Sequence, residues 1–317
     1  SLFLMDYAQQ RRLKIWGRAR LVDESIEPEL IARLESPGYR ARVERGVVIH
    51  IEAYDWNCPK YITPRYTKAQ VDELLQSVSR QTQPAPPAAP IGSGSLALTV
   101  TGMRQMTRRI RAYELRPTDW GDLPAAAPGA HLAVPLRLAD GSLVTRQYSL
   151  ATHPARRDMY EIAVLREDDG RGGSAAIHEN WTIGTRLDLD PPLNQFALHD
   201  DARPALLIAG GIGITPIKAM AQALQARGTP FMLHYTGRRP EEMAYRDRLA
   251  IEFPQQLRLY FSRVAGHARM DIDAILRAAA VNAVIYVCGP AALIGAVVSS
   301  ARKFGIAPER VQFESFT

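Results

Sequence analysis

Apolar and polar residues alternate over Leu13 to Val22 and again over Arg45 to Tyr54, the period-two pattern of half-buried strands. Between them Pro28 to Leu34 reads as a short helix that stops before Pro37-Gly38. Thr67 and Gln70 form a capping box for a second helix, whose apolar face is Val71, Leu74, Leu75 and Val78. The pattern then dissolves in Pro84-Ala-Pro-Pro-Ala-Ala-Pro-Ile-Gly-Ser-Gly94, which predicts an interdomain linker, stiff at first and flexible at its end. A first domain over 1–83 and a linker over 84–94 follow.

From Ser95 several short alternating strands recur, at Leu96, Arg109, His131 and Tyr160, broken by Asp140-Gly141 and proline-rich turns. That spacing predicts a small antiparallel barrel over 95–199. After Arg203-Pro204 the period changes. Strands near Ala205, Phe231, Leu257 and Ala283 alternate with helices from Pro216, Glu241, Asp271 and Ala291, and a last strand runs from Arg310 to Glu314. This predicts an α/β domain over 200–317 with a parallel sheet covered on both faces. Its first strand, Ala205 to Ala209, runs into Gly210, Gly211 and Gly213 and then a helix with Ile217, Met220, Ala221 and Leu224 on one stripe, Pro216 standing at its first position. Strand, glycine turn and helix start present free N–H groups to an anion, so a pyrophosphate is the natural ligand. The spacing is G-G-x-G rather than G-x-G-x-x-G, and no acidic residue follows at the Rossmann distance, so a turn that only reverses the chain stays open as a reading.

Composition narrows the classes. The 317 residues exceed what one core organises, and 46% hydrophobic with 23% charged residues is globular. With no long apolar run and no basic n-region with a cleavage site, the sequence predicts no membrane span and a cytoplasmic setting. The net charge of +6 is spread thinly with no basic aromatic stripe, which argues against nucleic acid. Two cysteines, Cys58 and Cys288, have no ligand spacing, so no metal site, iron–sulfur cluster or zinc ribbon is expected within the chain.

Three further motifs carry chemistry. In Arg146-Gln-Tyr-Ser-Leu150, on a barrel strand, Arg146 and Tyr148 share a face while Ser149 turns away or is presented at the strand end. A guanidinium, a phenol and a hydroxyl together suit a ring with a phosphate tail, although an ordinary strand would show the same alternation. Arg171-Gly-Gly-Ser174 repeats the glycine turn and helix start, with Ser174 in the first turn. Tyr286-Val-Cys-Gly-Pro290 ends a buried strand at the carboxyl edge of the sheet, where Cys288 is either a packed small hydrophobe or a ligand-side group.

In order, R-x-Y-S-L, G-G-S before a helix, L-N-Q-F, A-G-G-I-G-I-T-P, Y-V-C-G-P and F-E-S-F resemble the ferredoxin-NADP reductase superfamily, and most of all its phthalate dioxygenase reductase branch, from Ser95 to Thr317. The resemblance implies an NAD(P)H-dependent flavoprotein reductase whose barrel binds flavin and whose α/β domain binds the nicotinamide nucleotide. It implies that Tyr148 stacks on the isoalloxazine, with Ser149 near N5 and Leu150 beside it. Arg146, Gly172, Gly173 and Ser174 would hold the flavin phosphate. Gly210, Gly211, Gly213 and Thr215 would face the nucleotide pyrophosphate, and Cys288, Glu314, Ser315 and Phe316 would border the meeting point of the rings. Ser149, Cys288, Glu314 and Phe316 are thus the expected catalytic set. The G-G-S turn resembles the FMN branch, with FAD compatible. Electrons would pass to a ferredoxin, a Rieske oxygenase or another acceptor.

The sequence departs from that pattern in two places. Members of the branch usually continue into a 2Fe-2S ferredoxin domain, which would then lie in a missing C-terminal segment or a separate partner. Where NADH users often carry an acid, this chain has Arg238-Arg239, which would favour the 2′-phosphate of NADPH, a solvated turn being the plainer alternative. The first residues, with Leu4-Met-Asp-Tyr and Trp56 to Arg65, resemble the later half of a pyridoxamine 5′-phosphate oxidase-like split barrel that starts mid-domain. Such barrels imply FMN and a homodimer, and an alternative function as an FMN-binding oxidase or flavin store. The phosphate could fall to Arg11, Arg12 and Lys14, or these could be a solvated strand edge.

Overall fold

The computed structural model describes residues 1–6, 11–23, 25–34, 43–57, 71, 89–266 and 268–316. The chain divides into two compact units, Ser1–Pro87 and Ala88–Thr317. The expected helix from Thr67, apart from Val71, and linker 84–88, with Cys58 to Arg65, lie outside the described residues.

In the first unit β1 (Leu2–Asp6), β2 (Arg11–Asp23) and β3 (Arg45–Asn57) form an antiparallel sheet in that order, with α1 (Pro28–Leu34) between β2 and β3. Ile15, Val22 and Ile31 are its buried apolar residues among those described. The register slips at Trp16/Gly17, where a Cβ on Gly17 would meet the His50 carbonyl oxygen at 2.1 Å.

The second unit opens with β4 (Ile91–Gly92), β5 (Leu96–Gln105), β6 (Ile110–Pro117), β7 (His131–Arg137), β8 (Leu143–Ser149), β9 (Tyr160–Leu165), α2 (Gly173–Asn180) and β10 (Arg186–Leu189). Five strands run β4-β10-β5-β6-β9, and β7 pairs with β8. Bridges from His131 to Leu193 and from Leu150 to Ile162 draw the two sheets together around Leu98, Val100, Tyr113, Leu132, Ile162 and Trp181. In place of the flexible end expected for the linker, the structure has an ordered strand and turn. Ile91–Gly92 pair in parallel with β10, and the Gly94 N–H donates to the Asp188 carbonyl at 2.9 Å.

The remainder alternates strand and helix: β11 (Ala205–Gly210), α3 (Ile214–Arg227), β12 (Phe231–Gly237), α4 (Arg246–Glu252), β13 (Leu257–Phe261), α5 (Ile272–Ala278), β14 (Val284–Cys288), α6 (Ala291–Lys303) and β15 (Val311–Glu314). All pairings are parallel, in the order β13-β12-β11-β14-β15. The chain grows outward from β11 on both sides, so the order reverses between β11 and β14, the place where open α/β sheets leave a crevice for ligands. Two boundaries differ from the sequence expectation. Pro216 is the third residue of α3, because a 3₁₀ turn at Gly211–Gly213 runs directly into the helix; a proline is tolerated there because the first four helical N–H groups have no partner within the helix. Near Glu241 there is only a 3₁₀ turn, Pro240–Glu242, and α4 begins at Arg246.

The barrel and the α/β layer share one core. Ile110, Ala112, Ala151 and Ala163 pack with Ile217, Met220, Tyr235 and Tyr245, each such large side chain contributing about 1.5–3 kcal/mol of burial. Among the described residues no helix is long and apolar enough to cross a membrane.

Candidate functional site

A cavity of about 720 Å³, part of it open to solvent, lies along β8 and is lined by Arg146, Gln147, Tyr148 and Ser149. Ala163 and Leu165 of β9, Glu167, Arg171, Gly173 and Ser174 form another wall. Ile212, Thr215 and Phe316 close it from the α/β side. Exposure alternates along β8 from Leu143 to Tyr148, with Arg146 and Tyr148 on the more buried side, and Ser149 is buried at the strand's end.

At one end of the cavity positive charge and free N–H groups converge. Gly172 caps α2 in the left-handed region, at φ 80°, without a side-chain cap bond, so the first-turn N–H groups stay open. The Ser174 hydroxyl accepts from the Glu167 N–H at 3.0 Å. A Cβ on Gly173 would press on Arg146 Cγ at 3.1 Å, so the glycine lets that side chain lie close against the turn. Two guanidiniums, a hydroxyl and open N–H groups form a donor set that suits a phosphate.

At the other end three residues from distant parts of the chain meet. The Ser149 hydroxyl, buried at the end of β8, donates to Glu314 Oε2 at 3.0 Å. Glu314 lies opposite Cys288 in the β14–β15 register. Burial raises the Glu314 carboxyl above the usual carboxylate range, an effect the Ser149 hydrogen bond partly offsets. Burial, with the Glu314 carboxylate added, also pushes the Cys288 thiol well up, so it stays protonated and is a poor nucleophile. Burial raises the Tyr148 phenol similarly, so it is neutral in the cavity wall. His131, opposite Ser149 in the β7–β8 register, is 1% exposed, and its two ring nitrogens have no hydrogen-bond partner. Desolvation lowers its pKa, so the ring is neutral.

Of the expected residues, Arg146, Tyr148, Ser149, Gly173, Ser174, Thr215 and Phe316 line the cavity. Glu314 joins it through Ser149. Leu150 and Cys288 are buried behind it. Gly210, Gly211 and Gly213 lie at the sheet's switch point, and Arg238 and Arg239 are exposed at the end of β12, away from the cavity. Arg239 reaches Glu241 at 3.9 Å. Arg171 and Glu167 were missed as wall residues, although Arg171 opens the very turn read as anion-binding.

Barrel, parallel sheet and shared cleft define a two-domain flavin and nicotinamide nucleotide oxidoreductase. Comparisons with known proteins agree. Residues 185–311 match the family model described as dimethylamine monooxygenase subunit DmmA-like, N-terminal domain. The chain is 37% identical over 222 residues to vanillate O-demethylase oxidoreductase from a Pseudomonas species, covering 70% of this chain and 69% of that protein. It is 36% identical to the carnitine monooxygenase reductase subunit of Escherichia coli, covering 68% and 67%. The solved structure of phthalate dioxygenase reductase, described as modular for electron transfer from pyridine nucleotides to [2Fe-2S], superposes with TM-score 0.63 at 32% identity, covering 69% of this chain and 67% of that one. The chain spans about two thirds of these relatives. It belongs to the phthalate dioxygenase reductase-like ferredoxin reductase family and is an NAD(P)H-dependent flavin oxidoreductase.

Proposed function

We propose that the cavity holds FMN and that the protein is the reductase of an oxygenase system, taking hydride from NADPH and delivering electrons to an oxygenase or 2Fe-2S partner. One observation carries this reading: a single cavity joins Arg146, Tyr148 and Ser149 of the barrel to Ile212, Thr215 and Phe316 of the nucleotide side. Bound flavin supplies the hydride acceptor and the one-electron donor; the protein supplies binding, orientation and a dry meeting point. Arg146, Arg171, Ser174 and the open first turn of α2 anchor the phosphate, and Tyr148 provides the ring's flat neighbour. Ser149, held by Glu314, presents a hydroxyl at the reacting edge, with Cys288 packed behind and Phe316 as a cover. The open turn at Gly211 receives the pyrophosphate, and Arg238 and Arg239 receive the ribose 2′-phosphate. The relatives named as demethylase and monooxygenase reductases support the oxygenase-type acceptor. The 84–94 boundary and the division at 199/200 describe the domains in this reading, with the first unit part of a split barrel through which a homodimer forms.

An absorbance spectrum with flavin identification after heat release, followed anaerobically through NADPH addition, tests this directly. A bound yellow chromophore that bleaches is expected; a colourless protein that takes up no flavin would sink the proposal. Catalytic efficiency with NADPH and NADH, in wild type and Arg239→Asp, tests the nucleotide. NADPH should lead in wild type and lose its lead in the variant.

A further inference from the structure

Directly behind the cleft runs a buried polar network that none of the expected site residues explains. Lys218, on α3 and 1% exposed, donates from Nζ to the Ala151 carbonyl at 2.5 Å. Its ammonium lies 5.2 Å from the centre of the Tyr245 ring. The Tyr245 hydroxyl donates to Glu161 Oε1 at 2.9 Å, and Arg104 bonds the other Glu161 oxygen at 3.1 Å. Ala151 in turn donates its N–H to the Glu161 carbonyl at 2.8 Å. Two of the barrel members stand two residues from a cavity wall: Ala151 from Ser149, and Glu161 from Ala163. Lys218 stands three from Thr215, one helical turn.

We propose that Lys218 is a positioning residue that fixes the separation of the two cleft walls, tying the strand end that carries Ser149 to the helix start that carries Thr215. The inference rests on the proposed function, because it assigns the network to the alignment of the two bound rings. A buried ammonium is costly unless its attraction is used. Here it reaches a carbonyl across the cleft boundary, and a neutral side chain would serve mere packing better. A misplacement of about 1 Å behind such a site can cost on the order of a hundredfold in rate.

The link is sensitive to pH. Desolvation brings the Lys218 ammonium down to about 8, with Glu161 and Glu252 raising it and Arg248 and Arg104 lowering it. Those groups, with Tyr245 at the start of α4, are the charged and titratable ones that face it. Above that pH the attraction to Glu161 and to the Tyr245 ring is lost, and the walls loosen.

The test uses the flavin-loaded protein and the flavin-free protein side by side. In anaerobic stopped-flow, the rate of flavin bleaching by NADPH should fall on a limb near pH 8 in wild type. Lys218→Met should lower the rate by about tenfold or more at neutral pH and abolish the limb. Glu161→Gln, which keeps an acceptor for Tyr245 but removes the supporting charge, should move the limb to lower pH. In flavin-free protein, hydrogen exchange over residues 148–152 should quicken in Lys218→Met. An unchanged rate, a limb that survives in Lys218→Met, or unaltered exchange would overturn the inference. If Lys218→Met does not fold, the limb in Glu161→Gln still decides. Should wild type never bleach, the proposed function fails on its own, and the exchange result still judges the link.

Discussion

Two glycine turns precede helices in this molecule, Gly172-Gly173 before α2 and Gly210 to Gly213 before α3, and their glycines face different neighbours. At the first, the missing side chain leaves room for Arg146, whose Cγ would sit 3.1 Å from a Cβ on Gly173. At the second, Gly213 leaves room for the end of β14, and Gly210 for Pro290 and the first turn of α6. A Cβ on Gly213 would meet the Cys288 carbonyl oxygen at 2.3 Å, and one on Gly210 would meet Leu293 Cδ2 at 2.7 Å. Gly211 alone meets nothing within 4 Å and holds a positive φ of 56°. The first turn is shaped around a guanidinium, and the second mostly by packing against β14 and α6, with one open residue.

The sharpest break of that comparison is Gly213→Ala. Its Cβ collides with backbone that cannot swing aside, so a loss of about 3 kcal/mol, the upper end of overpacking, is expected. For a unit of this size that is a fall of roughly 6–12 °C in melting temperature, read by thermal denaturation. A loss below about 1 kcal/mol would mean that the β11 and β14 ends are not locked together.

Arg146→Ala tests the other turn. The fold should survive, because Arg146 is only partly buried and its guanidinium donates to the adjacent Thr145 carbonyl. Losing a hydrogen bond to a charged group costs about 1.5–3 kcal/mol, so FMN affinity should fall roughly tenfold to a hundredfold. Titration of flavin-free protein by fluorescence quenching measures it. Unchanged affinity would remove the phosphate from this end of the cavity.

How much of this was legible follows from the same contrast. The parallel order and both turns are written in local patterns, a short apolar run followed by glycine and a helical stripe. The Ser149–Glu314 contact joins residues 165 apart, so it was reached only through a family resemblance. Lys218 was passed over for a physical reason: Ile217, Met220, Ala221 and Leu224 account for a helix with one buried face. But α3 is covered on a second side, where Lys218 and Gln222 are each 1% exposed. One-face periodicity cannot announce a helix buried between two layers. Ile91–Gly92 were hidden likewise, since their partner strand β10 comes nearly a hundred residues later and the pairing is parallel.

Gly211→Ala sharpens the distinction by a smaller amount. Open space means no clash, so only the left-handed backbone cost of about 1–2 kcal/mol applies. Melting should drop by a few degrees, well short of Gly213→Ala, while the KM for NADPH should rise if the open face receives the pyrophosphate. Equal losses of stability in the two variants would erase the assignment of separate roles.

The smallest effect concerns the meeting point of the two halves, at Glu314. Its folded-state pKa is raised by burial above the value of an exposed carboxyl. The folded protein therefore binds its proton more tightly than the unfolded chain does. The contribution is fully present below the unfolded value and is lost as pH rises through the folded one, so at neutral pH the buried carboxylate weakens the fold. Glu314→Gln removes the charge and keeps an oxygen to accept from Ser149, so melting at pH 7 should rise, by about 2–4 °C for each kcal/mol recovered, and the difference should vanish near pH 4. Thermal denaturation at both pH values measures this. A variant less stable than wild type at pH 7 would show that the carboxylate is held by attraction stronger than its burial penalty, and that Ser149 is anchored by charge rather than by a neutral hydrogen bond.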